Sequence, residues 1–375
     1  MINKPQLLYI MHVPWGWIKQ RPHFIAEELS KYFSVFIANK KASKPGANKN
    51  LPTSVSPLLN YLTYFLVPLY NPIKRRIIIC DLINWVLIRF LINPHKYKYF
   101  WITSLRYFAI FKPFISNDHL LIYDCMDDEL SFPGTADNQR IINRYKKLEK
   151  ELVSRANHVI FSANNLRDVV INRTASSFNN MIVNNATCYP DYDECVKIKS
   201  NNSSVFRSTT KSLVYIGTIA EWFDFDSILK LLDSSDNLEI YLIGPVDCQY
   251  LNHPKIHFMG PCKHDEVWTY MLNADVLIMP FKISPLILSV NPVKLYEYIW
   301  ARKPIISIRY PETEKFSNYV YLYDNYYELI KQYKIIENNE FKPKCQDITK
   351  VEKFIQSNTW ASRVSAIMEN NVFRK

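Results

Sequence analysis

The sequence predicts an α/β protein built from two doubly wound parallel sheets, and three observations predict it. Short continuous apolar runs of strand length alternate with segments of helical periodicity, as expected of strands buried on both faces. That alternation occurs twice, on either side of a polar, aperiodic stretch from Thr187 to Ser212. The chain of 375 residues also exceeds what one hydrophobic core commonly covers, and suits two domains of about 100–200 residues each.

In the first half, Leu7-Leu8-Tyr9-Ile10-Met11 reads as a strand. Pro22 to Lys31 reads as a helix from the spacing of Phe24, Ile25, Ala26 and Leu29, and Val35-Phe36-Ile37-Ala38 as a second strand. Further strands fall at 98–103, 120–124, 158–161 and 181–183, with a helix over 138–155. After the polar stretch, strands at 213–217, 240–244, 256–260, 276–279 and 305–308 alternate with helices near 225–233, 264–273 and 292–301. A last helical stretch covers 357–371. The expected organisation is a domain over 1–188, a linker over 189–211, a second domain over 212–356, and a C-terminal helix, 357–375, able to return to the first domain.

Composition removes several function classes. Hydrophobic residues are 48% and charged residues 22%, and no uncharged apolar run reaches the length of a spanning helix, so disorder and a polytopic membrane protein are excluded. There are six glycines where average usage gives about 26. Neither G-x-G-x-x-G nor a Walker loop is present, which argues against nicotinamide-type and P-loop chemistry. The seven cysteines are scattered and never spaced C-x-x-C, so free thiols in a reducing compartment and no metal site are expected. The apolar run from Leu7 to Val13 meets Pro14 and Trp15-Gly16-Trp17 where a small-residue cleavage site would be needed, so the chain reads as cytoplasmic and unprocessed.

Charge is unevenly placed. Residues 1–115 hold 16 Lys and Arg against Glu27, Glu28 and Asp81, a net +13, whereas the remainder holds 30 against 32 acids, a net −2. An anionic partner is expected for the first third: nucleic acid, an acidic membrane surface or a diphosphate-bearing substrate. A basic solvated surface accounts for the same numbers.

Ligands of open α/β sheets bind at the carboxyl ends of the strands, and Gly217, Gly244 and Gly260 each end a strand of the second half. Either plain turns or close approach to a ligand explains glycine there. Pro292 suits the first turn of a helix whose free amides, with Lys294, form an anion site; Glu297 lies one turn on, as a ribose acceptor or as an ordinary i,i+3 partner of Lys294.

The sequence resembles the GT-B glycosyltransferases of bacterial surface-polysaccharide pathways, of the teichuronic-acid and xanthan-glucuronosyltransferase kind. The resemblance runs along nearly the whole chain: Val13-Pro14-Trp15-Gly16-Trp17-Ile18-Lys19-Gln20-Arg21-Pro22, Tyr123-Asp124-Cys125-Met126-Asp127-Asp128, Tyr215-Ile216-Gly217 with Glu221-Trp222-Phe223-Asp224, Leu242-Ile243-Gly244-Pro245, Phe258-Met259-Gly260, and Asn291-Pro292-Val293-Lys294-Leu295-Tyr296-Glu297-Tyr298 with Lys303-Pro304. It implies two Rossmann-like domains facing across a cleft. It also implies a nucleotide-sugar donor, UDP-sugar foremost, on the second domain, with no cofactor and no metal. By the same resemblance Glu297 takes the ribose hydroxyls, Lys294 lies near the diphosphate, Gly217 and Thr218 approach the phosphates, Gly244 ends the adjoining strand, and Gly260 with Pro261 holds the base through backbone groups. Many retaining members carry a first glutamate where this chain has Ser289, so inversion is expected.

Inversion needs a base for the acceptor hydroxyl, and Asp127, then Asp128, follow the strand ending at Asp124. A helix N-cap is the plain alternative. His12, Gly16 and Arg21 stand at the mouth of the first domain, Arg21 as a ligand for a donor or lipid diphosphate or as a solvated side chain.

The stretches 57–70 and 77–92 are apolar and aromatic, separated by Lys74-Arg75-Arg76, and Asp81, Asn84 and Arg89 fall on one arc of a helix with a broad apolar remainder. An interfacial helix or a sheet-covering helix fits; each basic residue near an anionic leaflet adds roughly 1 kcal/mol to the former. The expected partners are a nucleotide-sugar donor, a glycan or polyprenyl-diphosphate-linked acceptor and the anionic inner-membrane surface. Competing readings are a metal-dependent GT-A enzyme, through Asp191-Tyr192-Asp193 or Asp224-Phe225-Asp226, and a basic nucleic-acid-binding protein.

Overall fold

The computed structural model describes residues 4–374 except 14, 16–18, 41–57, 65, 67–70, 72, 74–77, 201–204, 208, 251 and 264–265. The chain divides into two compact units, Met1–Asn184 with Trp360–Lys375, and Asn185–Thr359.

The first unit contains strands β1 (Gln6–Ile10), β2 (Ser34–Lys40), β3 (Asn60–Tyr64), β4 (Tyr99–Ile102), β5 (Leu120–Cys125), β6 (His158–Phe161) and β7 (Asn180–Ile182). Helices α1 (Arg21–Leu29), α2 (Ile78–Leu91), α3 (Leu105–Phe111), α4 (Gln139–Arg155) and α5 (Asn164–Thr174) connect them. The sheet order is β3-β2-β1-β4-β5-β6-β7, and every pairing is parallel. All six residues of β5 are buried, which is why its sequence is a run and not an alternation. The chain steps outward from β1 to β3 and then crosses to β4, so the switch point lies between the carboxyl ends of β1 and β4. Asn138 caps α4 by accepting from the N–H groups of Arg140 and Ile141.

The second unit contains α6 (Tyr192–Ser200), β8 (Lys211–Ile216), α7 (Phe225–Asp233), β9 (Leu238–Ile243), β10 (Ile256–Gly260), α8 (Glu266–Asn273), β11 (Val276–Met279), α9 (Pro285–Leu288), α10 (Val293–Trp300), β12 (Ile305–Ile308), α11 (Pro311–Glu314), β13 (Tyr321–Tyr323), α12 (Tyr326–Asn338) and α13 (Ile348–Ser357). Its sheet, β10-β9-β8-β11-β12-β13, is again parallel throughout, with the switch point between β8 and β11. The chain ends in α14 (Trp360–Glu369), which belongs to the first unit: Trp360 stacks on Phe24 of α1 at 5.5 Å, and Arg363 Nε donates to the Asn184 carbonyl at 3.1 Å.

Several local expectations differ from what forms. The expected linker 189–211 contains α6, because Asp191 Oδ1 accepts the Glu194 N–H at 2.8 Å and starts a helix there. Within the apolar stretch 57–70, Asn60–Tyr64 is a strand paired with β2. The final helical stretch forms as α14, and a further helix, α13, precedes it within the expected second domain, ending at Ser357. Neither D-x-D motif is presented as a metal site: Asp191 caps α6, and Asp224 caps α7 through the Ser227 N–H and hydroxyl. The GT-A reading is overturned by the two parallel six- and seven-stranded sheets.

Candidate functional site

Two groups of candidate residues occur, one at each switch point. In the first unit, His12 follows β1 and Thr103 follows β4. The His12 N–H donates to Thr103 Oγ1 at 3.3 Å, and its ring Nδ1 lies 3.0 Å from the same oxygen. Burial, helped by the nearby His23, lowers the His12 pKa to about 4, so the ring is neutral at pH 7 and a weak base.

The acidic run after β5 separates by environment. Asp128 is buried and occupied: Oδ1 pairs with Arg173 Nη2 at 2.9 Å and accepts the Leu130 N–H at 3.3 Å, and Oδ2 accepts the Ser131 hydroxyl at 2.6 Å. Arg173 is further held by Glu149, at 2.6 Å. Asp127 is half-buried, and among the described residues its carboxyl accepts no hydrogen bond. Burial raises its pKa to about 6, with Arg21 opposing and Asp124 and Asp128 adding to the rise. A carboxylate without a protein partner and titrating near neutral pH is the environment of a proton acceptor. Of the two aspartates, only Asp127 retains that capacity.

Glu129, the third acid of the run, went unread in the sequence. Its Oε1 accepts the Leu105 N–H at 2.7 Å and its Oε2 the Ser104 hydroxyl at 3.3 Å, so it caps α3 from outside the helix. Burial raises its pKa to about 7, those two hydrogen bonds opposing. Its adjacency to Asp127 and Asp128 was the available signal.

Arg21 is corrected most. Its guanidinium is buried and paired with buried Asp124, Nη2 to Oδ1 at 2.8 Å and Nε to Oδ1 at 3.1 Å, and its Nη1 donates to the Val183 carbonyl at 2.7 Å. It ties the start of α1 to the end of β5 and is not presented to solvent as a phosphate ligand. Gly16 lies outside the described residues.

In the second unit, Gly217 and Thr218 follow β8, Gly244 ends β9, and Gly260 ends β10. Backbone hydrogen bonds link these turns: the Gly217 N–H to Ile243 O at 2.8 Å and the Gly244 N–H to Gly260 O at 2.9 Å. A Cβ on Gly244 would lie 2.0 Å from the Gly217 carbonyl oxygen, so the glycine is there because the two strand ends touch. Gly244→Ala is therefore expected to cost about 2 kcal/mol or more, measured by denaturant unfolding. Gly260 has φ +75° and open space over its Cα, the backbone exposure a ligand could use. Pro261 beside it is exposed.

Helix α10 carries Lys294 and Glu297, whose Nζ and Oε2 are 2.9 Å apart. Glu297 is buried, so the pair is not a solvated surface bridge. The Ile216 N–H donates to Tyr298 Oη at 2.9 Å, fastening the end of β8 to α10. Before the helix, buried Asn291 accepts the Asn185 N–H at 2.8 Å and donates to Glu312 at 2.8 Å. Ser289 is buried at the end of α9, with no carboxylate at that position.

No protein-family model matches the sequence. Over 222 residues it is 28% identical to TuaH of Bacillus subtilis (strain 168), a protein named for a glycosyltransferase role in teichuronic acid biosynthesis; the match covers 54% of this chain and 54% of that one. The chain thus spans about half the length of the curated relative it matches. Sucrose-phosphate synthase from Thermosynechococcus elongatus superposes with a TM-score of 0.73 at 12% identity, covering 98% of both chains. The E. coli trehalose-6-phosphate protein bound with UDP-2-fluoro glucose gives 0.68 at 10% identity, and Anabaena HepE in complex with UDP and glucose 0.66 at 10%, each covering 98% of this chain and 99% of its own. The fold is GT-B, as the resemblance in the sequence implied.

Proposed function

We propose that the protein is a glycosyltransferase that moves a sugar from a nucleotide-sugar donor, a UDP-sugar in particular, to a glycan or polyprenyl-diphosphate-linked saccharide in bacterial surface-polysaccharide biosynthesis, such as that of capsule or O-antigen. The observation that carries this reading is the second unit's switch point, where α10, with buried Glu297 and half-buried Lys294, is fastened through Tyr298 to the strand end that leads into Gly217 and Thr218. The likeness to TuaH supports the reaction class.

In this reading Glu297 accepts the ribose hydroxyls, Lys294 and the α10 amides offset the diphosphate charge, and the Gly217–Thr218 backbone approaches the phosphates. Backbone groups at Gly260 and Pro261 hold the base. The acceptor hydroxyl attacks the anomeric carbon, the bond from that carbon to the nucleoside diphosphate breaks, and the proton passes to Asp127. The configuration inverts, since position 289 supplies no carboxylate. His12, neutral, contributes hydrogen bonding at the first unit's switch point. No metal enters the proposed step, and the enzyme works at the cytoplasmic face of the membrane.

Titrating UDP, GDP, dTDP and CMP in EDTA against thermal stability tests the donor half. UDP at about a thousandfold excess over Kd should add about 4 kcal/mol of apparent stability. Glu297→Ala should weaken UDP by about 10- to 100-fold, the loss of hydrogen bonds to a charged group. Absence of any response at millimolar nucleotide would remove Glu297 and Lys294 as donor residues.

A further inference from the structure

Helix α2 is amphipathic with its polar side turned inward. Asp81 (4% exposed) and Asn84 (1%) are buried with Ile88, whereas Ile78 (69%), Ile79 (68%), Leu82 (52%), Ile83 (46%), Val86 (55%) and Phe90 (81%) lie outward. At 100° per residue those six fall on one arc, which also carries exposed Arg89 toward its edge, so they form an apolar stripe with a single cation on it. The sequence had grouped Arg89 with Asp81 and Asn84; it is instead exposed and hydrogen-bonds Asn93. A soluble surface rarely carries a stripe of this kind unless something covers it.

We propose that α2 is a docking helix that lies in the surface of an anionic lipid bilayer, with this stripe inserted among the lipid chains. Charge selects the occupant. The first 115 residues carry a net +13, and the helix is preceded in sequence by Lys74-Arg75-Arg76. Exposed His95, Lys96 and Lys98 follow it, and the single acid on the helix, Asp81, is buried. A second copy of the chain would bring one strongly cationic surface against another, whereas an anionic leaflet answers both the apolar stripe and the charge. Fourteen residues of helix are about 21 Å long, short of the hydrocarbon core, so the helix lies along the surface and does not cross it. Among the described residues no helix is long and apolar enough to cross a membrane. The proposal rests on the membrane-surface part of the proposed function and is independent of the transfer step.

Co-sedimentation of the full chain with vesicles of phosphatidylglycerol and phosphatidylethanolamine, compared with phosphatidylcholine alone, tests it. The wild type should bind the anionic vesicles preferentially, less tightly as salt rises, and Leu82→Gln/Phe90→Gln should weaken binding about tenfold or more. The UDP thermal shift of that double variant should equal the wild type's, showing an intact fold. Undiminished vesicle binding by the variant, or none by the wild type, would overturn the proposal. So would a lipid-free dimer, seen by sedimentation velocity, that the same substitutions dissolve. A wild type that binds anionic vesicles but shows no UDP response would instead remove the donor reading and leave this one standing.

Discussion

Replacing Asp127 by asparagine is expected to lower kcat for sugar transfer by about 10²- to 10⁴-fold while making the protein more stable near pH 8. The two effects share one cause. The fold raises this carboxyl from 3.8 to about 6, chiefly by burial, so the folded state favours the protonated form. The cost of carrying the charge is absent below about pH 4, grows as pH rises through the interval from 3.8 to about 6, and is fully present above it. Asparagine removes that cost, a gain of up to about 3 kcal/mol near pH 8 that fades by pH 4. The wild-type rate should rise with pH to a plateau with an apparent pKa about 6, because a proton acceptor must be ionised. Full activity in the variant, or lower stability near pH 8, would show that Asp127 is an ordinary structural acid. Asp128→Asn separates the neighbours: Asp128 pairs with Arg173, so its loss should appear in stability before activity.

The second large effect is expected at Asp124. Asp124→Asn leaves the buried Arg21 guanidinium without its anion, and uncompensated buried charge costs about 3–5 kcal/mol. For a unit of this size that is roughly a 6–20 °C fall in the first unit's melting temperature, read by calorimetry. Replacing both residues by apolar side chains of similar volume should recover much of the loss, because the pair's Coulombic gain is partly cancelled by the desolvation of its two members. If Asp124→Asn melts within a degree or two of the wild type, the ion pair does not hold α1 to β5. UDP binding should be unaffected, since every partner of this pair lies in the first unit.

The strands were legible because burial on both faces writes them as runs: β5, β8, β9 and β12 fall within a residue or two of their expected positions. Helix α7 falls where its periodicity placed it, and α10 begins at the proline before it. The misreadings have different physical sources. Arg21 finds Asp124, 103 positions away, so a side chain that looks solvated in sequence is buried in the fold. The stretch around Asp191 looks like a linker because it is polar, yet the same polarity caps a helix that packs near α8. Gly244 was legible as special but for a different reason, contact with another strand end. In α2 the period of the pattern was readable and its direction was not: composition alone does not say that Asp81 and Asn84 face inward.

The central claim is that the switch point of the second unit holds a nucleoside diphosphate. A crystal of the protein grown with UDP tests it most directly. The expected density places the ribose hydroxyls on Glu297, the diphosphate beside Lys294 and the Gly217–Thr218 backbone, and the base against the turn at Gly260. UDP bound elsewhere, or at this turn with Glu297 still paired only to Lys294, would contradict it.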